Sequence, residues 1–212
     1  MIKTRLEAFS DGVIAIIITV MVFDIKAPQD TGLFGLLVVM PSILTYLMSF
    51  LYLGIYWMNH HHMLQIATSI NGVVLWANLH LLFWLSLIPF TTNWLRTSNY
   101  AALPSAIYGV VLLFAAISYR ILQSSIIRVE GSSSQLKQVI GRDLKGMTSL
   151  IAYAVGGITA FYAPFIAILI YIAVAFIWML PDRRIEAHFQ SASQPSKQND
   201  ETLVSDKNSS LH

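Results

Sequence analysis

Six apolar stretches take up most of this chain: residues 5–26, 33–57, 72–93, 102–127, 146–162 and 164–180. Each approaches the roughly 20 residues that carry a helix across a hydrocarbon core of about 30 Å. Lipid offers the backbone no water, so such segments must close their own hydrogen bonds as helices. The chain is therefore expected to be an all-α, polytopic membrane protein with six transmembrane helices per subunit. Composition agrees. Only 11% of the 212 residues are charged and 56% are hydrophobic, whereas an average soluble domain has about 25% charged residues.

The last two stretches need a separate argument. No charged residue occurs from Met147 to Leu180, a run of 34 residues. That is too long for one span of ordinary tilt and enough for two short ones. Tyr162-Ala163-Pro164 is the expected turn, because proline disfavours a helical residue before it. Lysine and arginine placement supports an even number of spans. With the amino terminus inside, Lys3, Arg5, Arg120, Arg128, Lys137, Arg142, Lys145, Arg183, Arg184, Lys197 and Lys207 fall on the inner side. Only Lys26 and Arg96 fall outside, so the asymmetry predicts a multi-pass protein of the cell membrane with both termini cytoplasmic. Trp57, Trp94, Trp178 and Tyr100 stand near span ends, where interfacial aromatics belong. The first apolar run lacks a small-residue cleavage site and leads into further spans, so it reads as a span and not as a signal peptide.

Cysteine is absent, which removes disulfides, thiolate metal sites and cysteine nucleophiles from consideration. The Walker lysine motif, the glycine-rich nucleotide fingerprint and the TVGYG potassium filter are also absent from the sequence. Nothing points to nucleic acid as a partner. Residues 1–186 are expected to form one transmembrane domain. Residues 129–145 read as a polar, basic connector, and 187–212, rich in Ser, Gln, Asn and Lys, as a disordered cytoplasmic tail.

The first apolar run carries an ionisable residue, Asp11, within the triplet Phe9-Ser10-Asp11. Such a residue in a span costs about 2.5–3.5 kcal/mol at the helix centre and flags a functional site. Thr4 followed by Glu7 fits a capping box, which predicts a helix start near residue 4 and an end near Lys26-Ala27-Pro28. With Arg5 at zero and about 100° per residue, Phe9 falls at about 40°, Gly12 at 340°, Ile16 at 20°, Thr19 at 320°, Val20 at 60° and Phe23 at 0°. One stripe therefore joins them, while Ser10 at about 140° and Asp11 at about 240° lie off it. The stripe admits two readings. It faces lipid or a neighbouring helix, or it lines a pore with apolar constrictions that gate by dewetting.

Arg5-Leu-Glu-Ala-Phe-Ser-Asp-Gly12, Ala15-Ile-Ile-Ile-Thr19 and Ile25-Lys-Ala-Pro28 resemble the first helix of the transmembrane protein 175 family of potassium channels. Tyr56-Trp57-Met-Asn-His60 and Asn78-Leu-His-Leu-Leu-Phe-Trp-Leu-Ser-Leu-Ile-Pro-Phe-Thr-Thr92 extend the resemblance through the second and third spans. It implies a homotetramer, as in the single-repeat prokaryotic members, with helix 1 lining a central pore. It also implies that Ile16 is the constriction, that Val20 and Phe23 form the next apolar layers, and that Thr19 supplies hydroxyl oxygen. Phe23 departs from the leucine common in similar channels. The implied function is passive, potassium-favouring cation conduction, with potassium as permeant, no cofactor, and membrane lipid and further copies of the chain as partners.

For Asp11 three roles stay open: a tether to neighbouring helices, a solvated group at the interface, or a direct ion ligand. A buried carboxylate needs donors. The tether would be a polar network of Arg5, Phe9, Ser10, Asp11, His60, Asn78 and His80. Arg5 either snorkels outward or turns towards Asp11 or Glu7. Two other function classes compete with the channel. One is a small proton-coupled transporter with Asp11 as the titrating group, although paired broken helices are not evident. The other is an intramembrane metalloenzyme built on His60, His61, His62 and His80. Three adjacent histidines do not face one point, and no acidic residue occurs between Asp30 and Glu130. No enzyme and no bound metal are expected.

Overall fold

The computed structural model describes residues 2–140 and 143–179. The expected boundary at residue 186, the tail 187–212, and Arg142, Arg183, Arg184, Lys197 and Lys207 lie outside the described residues. The fold is all-helical: α1 (Ile2–Val20), α2 (Leu33–Ile66), α3 (Gly72–Ser86), α4 (Ile88–Thr97), α5 (Ala102–Glu130), α6 (Gln135–Ile140), α7 (Leu144–Thr159) and α8 (Pro164–Met179). Four segments are long and apolar enough to cross a bilayer: Lys3–Asp24, Leu33–Ile66, Gly72–Thr97 and Ala102–Ser133. Pro164–Met179 is apolar but shorter.

Several boundaries differ from expectation for identifiable reasons. Helix α1 begins at Ile2, so Thr4 lies in its first turn and does not cap it. Lys3 holds that turn, because its Nζ donates to the carbonyls of Gln65 (2.9 Å) and Ala67 (2.8 Å) at the end of α2. After Val20 the helix tightens into a 3-10 turn over Met21–Asp24, and the chain is extended at Ile25, ahead of Pro28. Helix α2 runs 34 residues, about 51 Å, well past the expected end at residue 57. No proline or glycine interrupts 58–66, and Lys3 satisfies carbonyls that would otherwise be left open. The connector 129–145 contains α6, because Leu136 finds a buried seat where α6 meets α2 and α5.

The prolines act in different ways. Pro89 enters the first turn of α4 and separates it from α3 at Leu87. Pro164 begins α8. Pro41 stays inside α2, where Thr45 Oγ1 donates to its carbonyl at 2.8 Å.

Helix α5 is the hub. It packs on α3, α4, α7 and α8, and half of its most apolar window is buried, against 28% for α1 and 22% for α2. Polar side chains join the packed helices. Ser49 bonds Thr92 (2.7 Å) and Tyr108 (3.0 Å), Tyr52 donates to the Tyr171 carbonyl, and Tyr171 donates to the Ser105 carbonyl at 3.2 Å. Such bonds hold membrane helices together where apolar burial gives no preference over lipid.

Tyr171 of α8 is fully buried between Gly109 of α5 and Gly156 of α7, where an added Cβ would collide with its ring. A Cβ on Gly157 would meet nothing within 4 Å, so of the two adjacent glycines only Gly156 permits close approach. Gly156→Ala should therefore destabilise the bundle by about 1–3 kcal/mol through overpacking, seen as a lower unfolding temperature in detergent. Gly157→Ala should leave that temperature nearly unchanged.

Candidate functional site

Helix α1 has two opposed faces. Leu6, Ser10, Ile14, Ile17 and Met21 recur every three or four residues and are all buried, against α2 and α3. On the other side Phe9, Gly12, Ile16, Thr19, Val20 and Phe23 are exposed. The contrast is steep: Ile14 is 0% accessible, Ile16 63% and Phe23 82%. The stripe derived from helical period is thus the face that one subunit leaves open. Arg5 and Phe9 lie on this exposed face and not in the interhelical network.

Within the stripe Thr19 is the polar member. Its hydroxyl donates back to the carbonyls of Ala15 and Ile16, both at 3.0 Å. With the proton committed to the helix, the oxygen can offer lone pairs outward, which suits a cation. Ile16 lies one turn before it and offers only hydrocarbon.

On the buried face a polar chain crosses three helices. Asn78 Nδ2 on α3 donates to Ser10 Oγ on α1 at 2.9 Å. Its Oδ1 meets His60 Nε2 on α2 at 2.7 Å. Ser10, His60 and Asn78 are all buried. Since Asn78 presents its oxygen to His60, Nε2 carries the ring hydrogen. His60 Nδ1 is buried and has no hydrogen-bond partner among the described residues.

Asp11 makes a separate contact: its Oδ1 accepts from Trp57 Nε1 at 2.9 Å. By its position near a span end Trp57 is expected to be an interfacial aromatic. The signal that marks it otherwise is its place one turn before His60, on the same side of α2. His80 does not join the Ser10 cluster, because its Nε2 accepts from Trp84 Nε1 at 3.0 Å, one turn along α3. His61 stacks on Trp57 with centroids 5.9 Å apart, and its ring contacts that of His62. His60 thus turns to Asn78 and His61 to Trp57.

At the far end of α1, Arg96 of α4 donates to the Asp24 carbonyl (3.2 Å) and to Asn93 Oδ1 (2.6 Å). These bonds hold the 3-10 turn that presents Phe23.

Comparison with known proteins covers these elements. The family model for the endosomal/lysosomal potassium channel TMEM175 matches residues 5–89, a span that includes the exposed stripe, Ser10, Asp11, Trp57, His60 and Asn78. A potassium channel of Chryseobacterium sp. (strain P1-3) is 52% identical over 186 residues, 88% of this chain and 97% of that protein. A potassium channel of Streptomyces collinus is 34% identical over 126 residues, 56% of this chain and 61% of the other. Among solved structures, the crystal structure of a lysosomal potassium-selective channel TMEM175 homolog from Chamaesiphon minutus matches with a TM-score of 0.73 and 26% identity. The match covers 84% of this chain and 96% of that one.

Removing Asn78 leaves two buried polar partners unsatisfied, at about 1–3 kcal/mol each. Asn78→Leu should accordingly lower the unfolding temperature in detergent by more than His80→Ala, which breaks a bond within one helix. Equal losses for the two variants would show that the chain through Asn78 does not hold α1.

Proposed function

Because this chain belongs to the TMEM175 family, whose members are ion channels and not enzymes, we propose that it is a potassium-favouring cation channel. Conduction is passive, and the first helices of four copies line the path. The observation that carries this reading is the open face of α1. Phe9, Gly12, Ile16, Thr19, Val20 and Phe23 are exposed in a subunit whose opposite α1 face is fully packed. One subunit of this size encloses no path of its own, so conduction requires several copies around a shared axis.

Along that axis the ion meets layers of different chemistry. Ile16 forms the narrow ring. Hydrocarbon replaces none of the ion's water ligands, so potassium passes it with much of its hydration shell. Discrimination against sodium is consequently modest. Thr19 follows one turn on and supplies oxygens whose protons are held by the helix backbone. Val20 and Phe23 continue the path outward. On the far side of α1, Ser10, Asn78, His60, Asp11 and Trp57 act as a tether that keeps Ile16 facing the axis.

The subunit crosses the cell membrane six times in this reading. Helices α3 and α4 together make one crossing, and α7 and α8 make the last two. At 16 residues each, about 24 Å, these two are shorter than the core, and a bilayer thins locally around such helices. Lys3, Arg5, Arg128, Lys137 and Lys145 mark the cytoplasmic side.

The test is flux of potassium, sodium and caesium through the purified protein in liposomes or single-channel bilayers. Discrete openings with a potassium-favouring reversal potential are expected, whereas saturable, proton-linked uptake would point to a carrier with Asp11 as its titrating group. Ile16→Asn should raise the leak and bring the potassium and sodium reversal potentials together. Phe23→Leu should increase unitary conductance and leave the reversal potential in place, because it widens the outer mouth and spares the narrow ring.

A further inference from the structure

A second feature lies on the hub helix. Between α5 and α7 an open groove of about 340 Å³ is lined by Ile117, Arg120, Ile121, Ser124, Ser125 and Arg128 of α5 and Leu150 of α7. Its volume falls at the lower end of the roughly 300–1,000 Å³ typical of small-molecule sites. At 100° per residue the six residues from α5 occupy one side of that helix, within a sector of about 140°.

Their order along the axis is amphiphilic. Ile117 comes first, Arg120 and Ile121 next, then Ser124, then Arg128. Arg120 is 18 residues from the start of α5 at Ala102, about 27 Å, and Arg128 is 26 residues from it, about 39 Å. Arg120 therefore lies near the edge of a hydrocarbon core about 30 Å thick, and Arg128 lies in the headgroup layer beyond.

The electrostatics favour an anion. Arg120 Nη1 is buried and forms no hydrogen bond among the described residues; it lies 3.5 Å from Asp143 Oδ2. Asp143 is itself engaged, because its Oδ1 accepts from Gly146 N at 2.8 Å and caps α7. One carboxylate thus serves both a helix end and one arginine, and Arg128, exposed on α5, leaves the groove with net positive charge. Arginine matches phosphate with a planar fork of donors, and Ser124 adds a hydroxyl between the two arginines. On α5, Val110, exposed two turns before Ile117 on the same side of the helix, continues the apolar wall deeper.

We propose that this groove binds an anionic phospholipid. The phosphate sits between Arg120 and Arg128 beside Ser124, and an acyl chain lies along Ile117, Ile121 and Leu150. The occupant is a lipid and not a free anion because the wall below Arg120 is hydrocarbon and continues to the bilayer core. Basic pockets between membrane helices recognise headgroups in this way.

Native mass spectrometry of the full-length protein in neutral detergent, titrated with phosphatidylglycerol or phosphatidylcholine, tests the assignment. Phosphatidylglycerol adducts should survive preferentially, and Arg120→Gln and Arg128→Gln should each reduce their retention by about fivefold. Arg120→Gln frees Asp143 and risks misfolding, so exposed Arg128 carries the test alone if that variant fails. Lys137→Gln, on the exposed surface of α6, should have no effect. Equal retention of the two lipids overturns the proposal, as does an equal loss in Lys137→Gln. So does protection by inorganic phosphate that matches phosphatidylglycerol, which would make the groove a free-anion site.

Discussion

The amide of Asn78 is committed twice: its nitrogen donates to Ser10 on α1 and its oxygen meets His60 on α2. Three helices meet at one planar group with two fixed directions. Ser10 lies about 120° around α1 from Ile16, so holding Ser10 against α3 determines where Ile16 points. A slip of one residue turns the helix by about 100° and would bury part of the open stripe. Height is held separately, by Lys3 on the last carbonyls of α2. Apolar packing alone provides neither restraint, because lipid solvates leucine as well as a neighbouring helix does.

The remaining helices form the support against which α1 is set. Helix α3 supplies Asn78 because it packs along α5, and α5 is held in turn by Tyr171 through Gly109 and Gly156. The break at Leu87, ahead of Pro89, separates α4 from α3. It brings Arg96 to the Asp24 carbonyl, and the outer turn of α1 is fastened there. Proline and glycine thus set helix boundaries and contact distances, and hydroxyl and amide groups lock them.

Much of this was legible in the amino-acid order because membranes impose simple rules. Apolar length and proline position located the start of α2, and α3 with α4, α5 and the hairpin α7–α8 to within a few residues. The period of 3.6 identified the open face of α1, since the same rule that groups Leu6, Ser10, Ile14, Ile17 and Met21 separates them from Ile16 and Phe23. Less legible were features that depend on a partner distant in sequence. The extension of α2 to Ile66 and the early start of α1 depend on one lysine reaching across 62 residues. The role of Trp57 depends on Asp11 being opposite it, and α6 on a seat for Leu136. His60 and His80 have the same side chain and similar flanks, yet only the first finds Asn78. Nothing local distinguishes them, because the difference arises from which faces of α2 and α3 meet.

The buried and open faces of α1 divide the work between polar and apolar residues in a way that reverses first intuition. An aspartate in a membrane helix suggests an ion ligand, yet Asp11 accepts from an indole N–H on α2, and the exposed stripe is mostly hydrocarbon. Strong ligands along a path would hold an ion, and conduction requires release as readily as entry. Strong polar groups are better placed where nothing must move, between helices that have to keep their register. Thr19 shows the same economy on the open side. Its hydroxyl proton is held by carbonyls of its own helix, so it faces outward as a weak neutral acceptor. A carboxylate at that position would bind more tightly and release more slowly. In the proposed channel, the placement of Asp11 off the stripe and Thr19 on it follows from a single requirement: residues that hold the helix bind strongly, and residues that face the path bind weakly.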